Sequence, residues 1–333
     1  PTIPLILSIL TRVFREDTTM SLLQPGVDLL NRLSFARKFQ LILAILLLPL
    51  LYGGFIIYQD ESKLVDVADR QLYGMSIVEV VHPLRIYGAQ HRGTSAQWLV
   101  GNEGALDKVK NIETKMASAL SKAKAAILSN GYSNQTKDRF TSYVSSWGNL
   151  TADKLRSLGS AQSFVQHTEW IKGISQIIDS VAGESRLVLD ANVDSYMLMQ
   201  MVVYDLPALQ EILGQIRGRG AAVATKGSFD PDSFIAVSTL YDGVDVAQAE
   251  MNKHYTYIER HNADMARILK GSVETANIAV KNFKDLTKQQ LLDPDTPQVS
   301  GSLYFSAGTE AIAAVAKFYE LGVKKYYVRL NQY

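Results

Sequence analysis

Twenty residues near the start of the chain, Phe39 to Tyr58, carry no charge and are mostly apolar; beyond Asp60 the apolar positions recur every three or four residues. A helix rising ~1.5 Å per residue needs ~20 such residues to cross a ~30 Å hydrocarbon layer. The run FQLILAILLLPLLYGGFIIY therefore predicts one transmembrane helix over 39–58. Pro49, Gly53 and Gly54 are tolerable there, and Tyr52 and Tyr58 suit the headgroup zone at one end. After it, Leu106, Val109, Ile112, Met116, Leu120, Ala123 and Ile127 form one stripe. Phe140, Val144, Trp147, Leu150, Leu155 and Leu158 form a second, and Phe164, Ile171, Ile174, Ile178 and Val181 a third. Spacing of this kind marks amphipathic helices packed face to face. Strand-like alternation is almost absent, so the fold class is all-α.

The breaks between stripes set the organisation. Ser129-Asn130-Gly131 ends a helix, with Asn134 as cap of the next. Gly159-Ser160 is a turn. Asp230-Pro231 pairs an N-cap with proline at the first helical position. Asp293 to Ser302 holds two prolines and no periodicity, and reads as a loop. Helices of roughly 25 residues with short connections predict antiparallel bundles. Asp60–Val100 and Pro231–Leu292 are longer, long enough for each to run through two stacked bundles, with Pro83 kinking the first. The expected division is a cytoplasmic leader 1–38, the span 39–58, and a helical sensor domain 59–333 made of two stacked bundles. Met20 opens a plausible leader, so residues 1–19 are expected to be upstream sequence, a genuine amphipathic tail being the alternative.

Charge gives the orientation. Arg32, Arg37 and Lys38 precede the span, whereas Asp60, Glu61, Asp66 and Asp69 follow it. By the positive-inside rule the N-terminus is cytoplasmic and the helical bulk lies outside. In a bacterial cell that places the chain in the inner membrane with its sensor domain in the periplasm. The run is too long for a signal-peptide core and lacks a nearby small-x-small cleavage site. Over 333 residues, 34 Lys and Arg nearly balance 33 Asp and Glu, so nothing points to nucleic acid. The absence of cysteine excludes disulfides, thiolate catalysis and cysteine zinc sites.

Catalytic signatures are missing: HExxH, GxSxG and the Walker loop do not occur. The histidines do not have zinc spacing. Asp190, Asn192 and Asp194 imitate the start of a calcium loop, but Ser195 and Met201 stand where glycine and glutamate belong. No enzyme, metal or cofactor is expected. What remains is arginine among small residues. Arg92 lies in GAQHRGTSAQW and Arg217 and Arg219 in GQIRGRGAAVA. Small residues bring backbones together, which turns a guanidinium into a helix interface, where it needs an anionic partner. A planar anion such as nitrate or a carboxylate matches its fork. The alternative is pairing with internal acids such as Glu79, Asp205 or Glu211.

The order of basic leader, span and LYGMSIVEVVHPLRIYGAQHRGTSAQWLVGN resembles the N-terminal sensory region of bacterial transmembrane receptors, chiefly methyl-accepting chemotaxis proteins. SRLVLDANVDSYMLMQMVVYDLPALQEILGQIRGRGAAVATKGSFDPDSF resembles their second signature. Both are also similar to the nitrate- and nitrite-sensing NIT type of helical domain. That resemblance, over roughly residues 32–333, implies two stacked four-helix bundles with arginines at the ligand site. It carries Arg92 over as the early Arg-Gly and Arg217 and Arg219 as the later arginine-rich helix. His91 stands where that pattern often has a second charged residue. The expected function is the ligand-sensing region of a chemoreceptor: it binds a small anion, nitrate, nitrite or a carboxylate, and signals by helix displacement. A homodimer is expected. A histidine kinase or diguanylate cyclase output is one alternative, a membrane-anchored scaffold for a partner protein another. No second span follows the last helix, so the chain is expected to be a piece of a receptor whose second span and output domain are missing.

Overall fold

The computed structural model describes residues 16–129, 131–190 and 192–332, so most of the expected upstream segment 1–19 lies outside the described residues. Among the described residues all regular structure is helical, as the apolar spacing predicts. The chain divides into two units, Pro1–Leu64 and Val65–Tyr333.

The first unit holds helix α1 (Glu16–Arg32) and the start of helix α2 (Phe35–Leu99). The apolar run Phe39–Tyr58 lies in α2. By length and composition this helix can cross a membrane, and no side chain of its most apolar window is buried in the protein. Leucines such as Leu48, Leu50 and Leu51 stand in the open, the surface a lipid-facing helix presents.

The second unit begins with the rest of α2, which stays helical through Pro83. Against it pack α3 (Leu106–Leu128), α4 (Asn134–Ser146) and α5 (Ser160–Glu184). The first and third stripes are buried in this group: Val109, Met116, Leu120 and Ile127 from α3, Ile171, Ile174, Ile178 and Val181 from α5. A second group is a closed ring of four helices, α7 (Leu206–Lys226), α8 (Pro231–His261), α9 (Ala263–Thr287) and α10 (Gly301–Leu330). The short α6 (Val193–Gln200) leads into α7 through a π-helical turn, Met201–Asp205. Pro207 in the next turn has no N–H to return to Val203, and a widened turn accommodates that loss. The extra residue rotates α7 by about 100° relative to α6. Helix α2 serves both groups: His82 stacks on Tyr319 of α10 at 4.0 Å, and Glu79 accepts from the Tyr327 hydroxyl at 2.7 Å.

Four expected boundaries move. The segment expected as one long helix, Pro231–Leu292, is the hairpin α8–α9. Asn262 breaks it by leaving helical geometry (φ −152°) and accepting from Met265 N at 2.9 Å, as an N-cap does. The second stripe is not one helix. After α4 the chain forms a tight turn over Trp147–Leu150, and Thr151 is extended. Glu113 then takes Ala152 N at 2.6 Å to start a single helical turn. Its apolar residues Phe140, Trp147, Leu150 and Leu155 are still buried, so the pattern marked the core and not the element. Ser133, not Asn134, caps α4. The loop after Asp293 closes at Ser300, which caps α10. The Asp230–Pro231 start and the Gly159 turn (φ 75°) are as expected.

Candidate functional site

Arg92 leaves α2 toward α7 and is buried. Glycines admit it: a Cβ on Gly214 would lie 3.3 Å from Arg92 Nη2, and one on Gly308 would lie 2.7 Å from the stem of Arg217. Arg92 Nη1 donates to Glu211 Oε1 at 2.5 Å and to Thr168 Oγ1 at 3.0 Å, while Nη2 donates to Glu211 Oε2 at 3.2 Å. Gln215 Nε2 steadies the same carboxylate at 2.8 Å. Charge-assisted, two-pronged pairs of this kind are the strong ones.

The other two arginines come to the neighbourhood of Phe164 and α10 with no carboxylate within ion-pair distance among the described residues. Arg217 Nη1 donates to Thr309 Oγ1 at 3.0 Å, and its guanidinium lies 4.4 Å from the centre of the Phe305 ring. Phe164 is flanked by two guanidiniums, Arg92 at 4.9 Å and Arg219 at 4.7 Å. Burial lowers the Arg217 pKa to about 10, with the Arg92 charge adding to it and Glu211 opposing. Arg219 shifts down for the same two reasons, burial and then Arg92. Arg85, which the sequence reading did not select, is a fourth member. It stands two turns before Arg92 on the same face of α2, donates to Ser175 Oγ at 2.8 Å, and is shifted down mainly by burial. Its seven-residue spacing from Arg92 was the available signal. Among the described residues, Glu211 is the one carboxylate within ion-pair distance of any of these four arginines.

Among the described residues three cavities border Arg85, Glu211 or Arg217, and a separate one of about 190 Å³ borders Arg219 with Lys226 and Asp230. An outer cleft of about 650 Å³ is bordered by Lys108, Lys115, Asp107, Gly93 and Arg217. An inner cavity of about 260 Å³ lies between α2, α7 and α10 and is lined by Arg85, Gln210, Glu211, Arg217 and Thr309. Gln90, Arg217 and Thr309 border both, so the Arg217–Thr309 hydrogen bond stands between cleft and cavity. A third, of about 410 Å³, lies on the α5 side of Glu211.

His91 points elsewhere, as the next residue along a helix must, ~100° away. It is fully buried inside the first group. Its Nδ1 lies 2.7 Å from His167 Nε2, its Nε2 3.3 Å from Glu113 Oε1, and Trp147 meets it edge-on at 5.0 Å. His167 Nδ1 lies 2.7 Å from the Ser163 carbonyl, which can only accept, so His167 donates there and accepts from His91. Burial, followed by the charge of His91, lowers the His167 pKa to about 3. Of the acids considered as internal partners, Glu211 pairs with Arg92, Glu79 serves Tyr327, and Asp205 takes His254 at 2.5 Å. Asp194, in the failed calcium pattern, is occupied by Arg329 and Asn262. Among the described residues no cluster of His, Cys, Asp or Glu could hold a metal.

No curated protein matches the chain. A solved structure described as that of the NasR transcription antiterminator is similar in fold, with a TM-score of 0.64 at 14% identity, over 84% of this chain and 75% of that one. Residues 88–320 match the NIT family, described as nitrate and nitrite sensing, and this stretch takes in Arg92, Glu211, Arg217, Arg219 and the whole lining of the outer cleft, while Arg85 and Ile86 of the inner cavity lie just before it. The chain belongs to the NIT family of nitrate- and nitrite-sensing proteins.

Proposed function

We propose that this chain is the ligand-sensing region of a bacterial transmembrane receptor and that it binds nitrate or nitrite beside Arg92, Arg217 and Arg219. The observation that carries the reading is the charge imbalance: three buried or half-buried guanidiniums, Arg85, Arg92 and Arg217, feel one carboxylate, Glu211, and Arg219 adds a fourth positive charge beyond the Phe164 ring. Buried charge is costly unless paired. A small planar anion supplies the missing charge and matches the guanidinium fork. Arg217 is the principal contact, because it has no carboxylate partner among the described residues and borders both the outer cleft and the inner cavity. Arg92 is already neutralised by Glu211, so an anion engages it by competing with that carboxylate. Arg219 supplies field across the Phe164 ring. His91, buried against His167 and Glu113, acts through the packing of α2.

Binding becomes a signal only if one helix arrangement binds better than another. Helix α2 carries Arg92 and the apolar run Phe39–Tyr58 in one element. Drawing α7 and α10 toward an anion changes their packing on α2, and small helix shifts at interfaces are an established switching mode. The receptor reading places the span in the inner membrane, the helical domain in the periplasm, and a chemotaxis, kinase or cyclase output downstream. The scaffold alternative is disfavoured because it requires every arginine to be paired internally, and Arg217 and Arg219 are not. The test is titration of the detergent-solubilised chain with nitrate, nitrite and a dicarboxylate. Nitrate or nitrite should bind best, and Arg217→Ala should weaken binding at least tenfold. Equal affinity in native and Arg217→Ala proteins would sink the assignment.

A further inference from the structure

Guanidinium charge attracts any small anion, so charge alone separates nitrate poorly from a halide. The inner cavity also holds an uncharged group. Gln210 lines it and is 7% exposed, yet neither its amide nitrogen nor its amide oxygen has a partner among the described residues. Because both ends are free, exchanging the two amide orientations changes nothing in this argument. The Nε of Arg217, which lines the same cavity, is in the same condition. The two residues are seven apart on α7, hence on one helix face two turns from each other. Buried polar groups are almost always hydrogen-bonded. Two that are not, on one face and lining one cavity, mark a place built to receive an acceptor.

We propose that Gln210 is a ligand-contacting residue that selects a small oxyanion over a halide. The proposal rests on the anion site assigned above. The Gln210 amide N–H donates to one oxygen of the bound anion and Arg217 Nε–H to another. An oxyanion offers several oxygen acceptors in a fixed plane, whereas a halide is a single centre that two separated donors cannot share equally well. The cavity volume leaves room for water beside a four-atom anion, a water molecule occupying ~30 Å³ of liquid, and such a water meets the Gln210 oxygen.

The experiment is isothermal titration of the full chain in detergent with sodium nitrate, nitrite and chloride at constant ionic strength, for the native protein, Gln210→Leu and Gln210→Asn. Gln210→Leu is expected to weaken nitrate and nitrite about tenfold and chloride less than twofold. Its ligand-free melting temperature should hold or rise, because an unpartnered buried amide is exchanged for an apolar side chain. Gln210→Asn keeps the amide but withdraws it by one methylene, and should also weaken nitrate. Unchanged nitrate affinity in both variants, or an equal loss for nitrate and chloride, overturns the proposal. A lower ligand-free melting temperature with nitrate affinity intact overturns it too, since that is the signature of a purely structural glutamine. If the native chain binds neither nitrate nor nitrite, the functional reading itself fails and this one falls with it. If the native chain binds nitrate and both Gln210 variants bind it equally well, this proposal alone is lost.

Discussion

Glu211→Gln is the sharpest perturbation the site offers, because it changes one charge and almost no volume. In the native protein the carboxylate neutralises Arg92 through two hydrogen bonds, at 2.5 and 3.2 Å, and also lines the cavity where an anion would sit. The substitution therefore acts with opposite signs on stability and on binding. Without ligand it replaces a charge-assisted pair by a neutral hydrogen bond and leaves Arg92 uncompensated, which should cost ~1.5–3 kcal/mol. With ligand it removes a like charge: at a separation of ~6 Å and an effective dielectric constant of ~20, the repulsion is ~3 kcal/mol before solvent relaxation. Taking about half of that as realised, nitrate should bind about tenfold more tightly. Thermal unfolding across a nitrate series checks both signs at once, since a ligand at one hundred times its Kd adds ~2.7 kcal/mol. The variant should melt below the native protein without nitrate and approach it at saturation. Nitrate affinity that is unchanged or weaker in Glu211→Gln would refute the picture of an internal counter-ion competing with the ligand.

The same geometry yields further expectations. Gly308→Ala places a Cβ 2.7–2.8 Å from the Arg217 stem and 2.8 Å from Phe283, so it should cost ~1–3 kcal/mol by overpacking and weaken nitrate by moving Arg217, both readable from melting curves with and without nitrate. Asn262→Ala removes the cap that separates α8 from α9 and its bond to Asp194; a loss of ~1 kcal/mol or more in denaturant unfolding is expected, with nitrate affinity unaffected. Acid should destabilise the fold well above the carboxylate range. Burial holds His82 and His167 at about 3, so each stays neutral in the fold while the unfolded chain takes up a proton near 6.5. With folded pKa values depressed, stability rises with pH across that window, and lowering pH from 7 to 5.5 should remove ~2–3 kcal/mol for the pair. A double His82→Gln, His167→Gln variant should flatten that slope, and an unaltered slope would reject the assignment.

Much of the fold is legible in the apolar spacing because burial imposes the 3.6-residue period. Val109 to Ile127 and Ile171 to Val181 needed no further information. The misjudged places share a cause. At Trp147–Leu155 the core demands the same apolar residues whether or not the backbone is helical, so periodicity cannot register the break; the carboxylate that restarts the chain, Glu113, comes from another helix. At Asn262 the break was written locally, as an asparagine before an alanine and an aspartate. It was outweighed by the continuous apolar pattern on either side.

The site divides along the same line. Small residues around Arg92, Arg217 and Arg219 show in the sequence that these side chains enter interfaces, because only close backbones need glycine there, and Gly214, Gly218 and Gly308 are within contact of Arg92, Phe164 and Arg217. What the sequence does not contain is the sum. It holds nearly as many acids as bases overall, 33 against 34, so any one arginine has an acid to pair with on paper. Only the folded arrangement brings Arg85 and Arg92 of α2 together with Arg217 of α7 around a single Glu211, with Arg219 on the far side of Phe164. The adjacency of Arg92 and His91 misleads for the converse reason. Neighbours in sequence diverge on a helix, so one turns toward the cations and the other toward His167 and Glu113. The pairing of Arg92 with Glu211 and the binding of an anion thus cease to be rival readings. The carboxylate holds one guanidinium in place, and the charges it leaves uncompensated are those the proposed anion would meet.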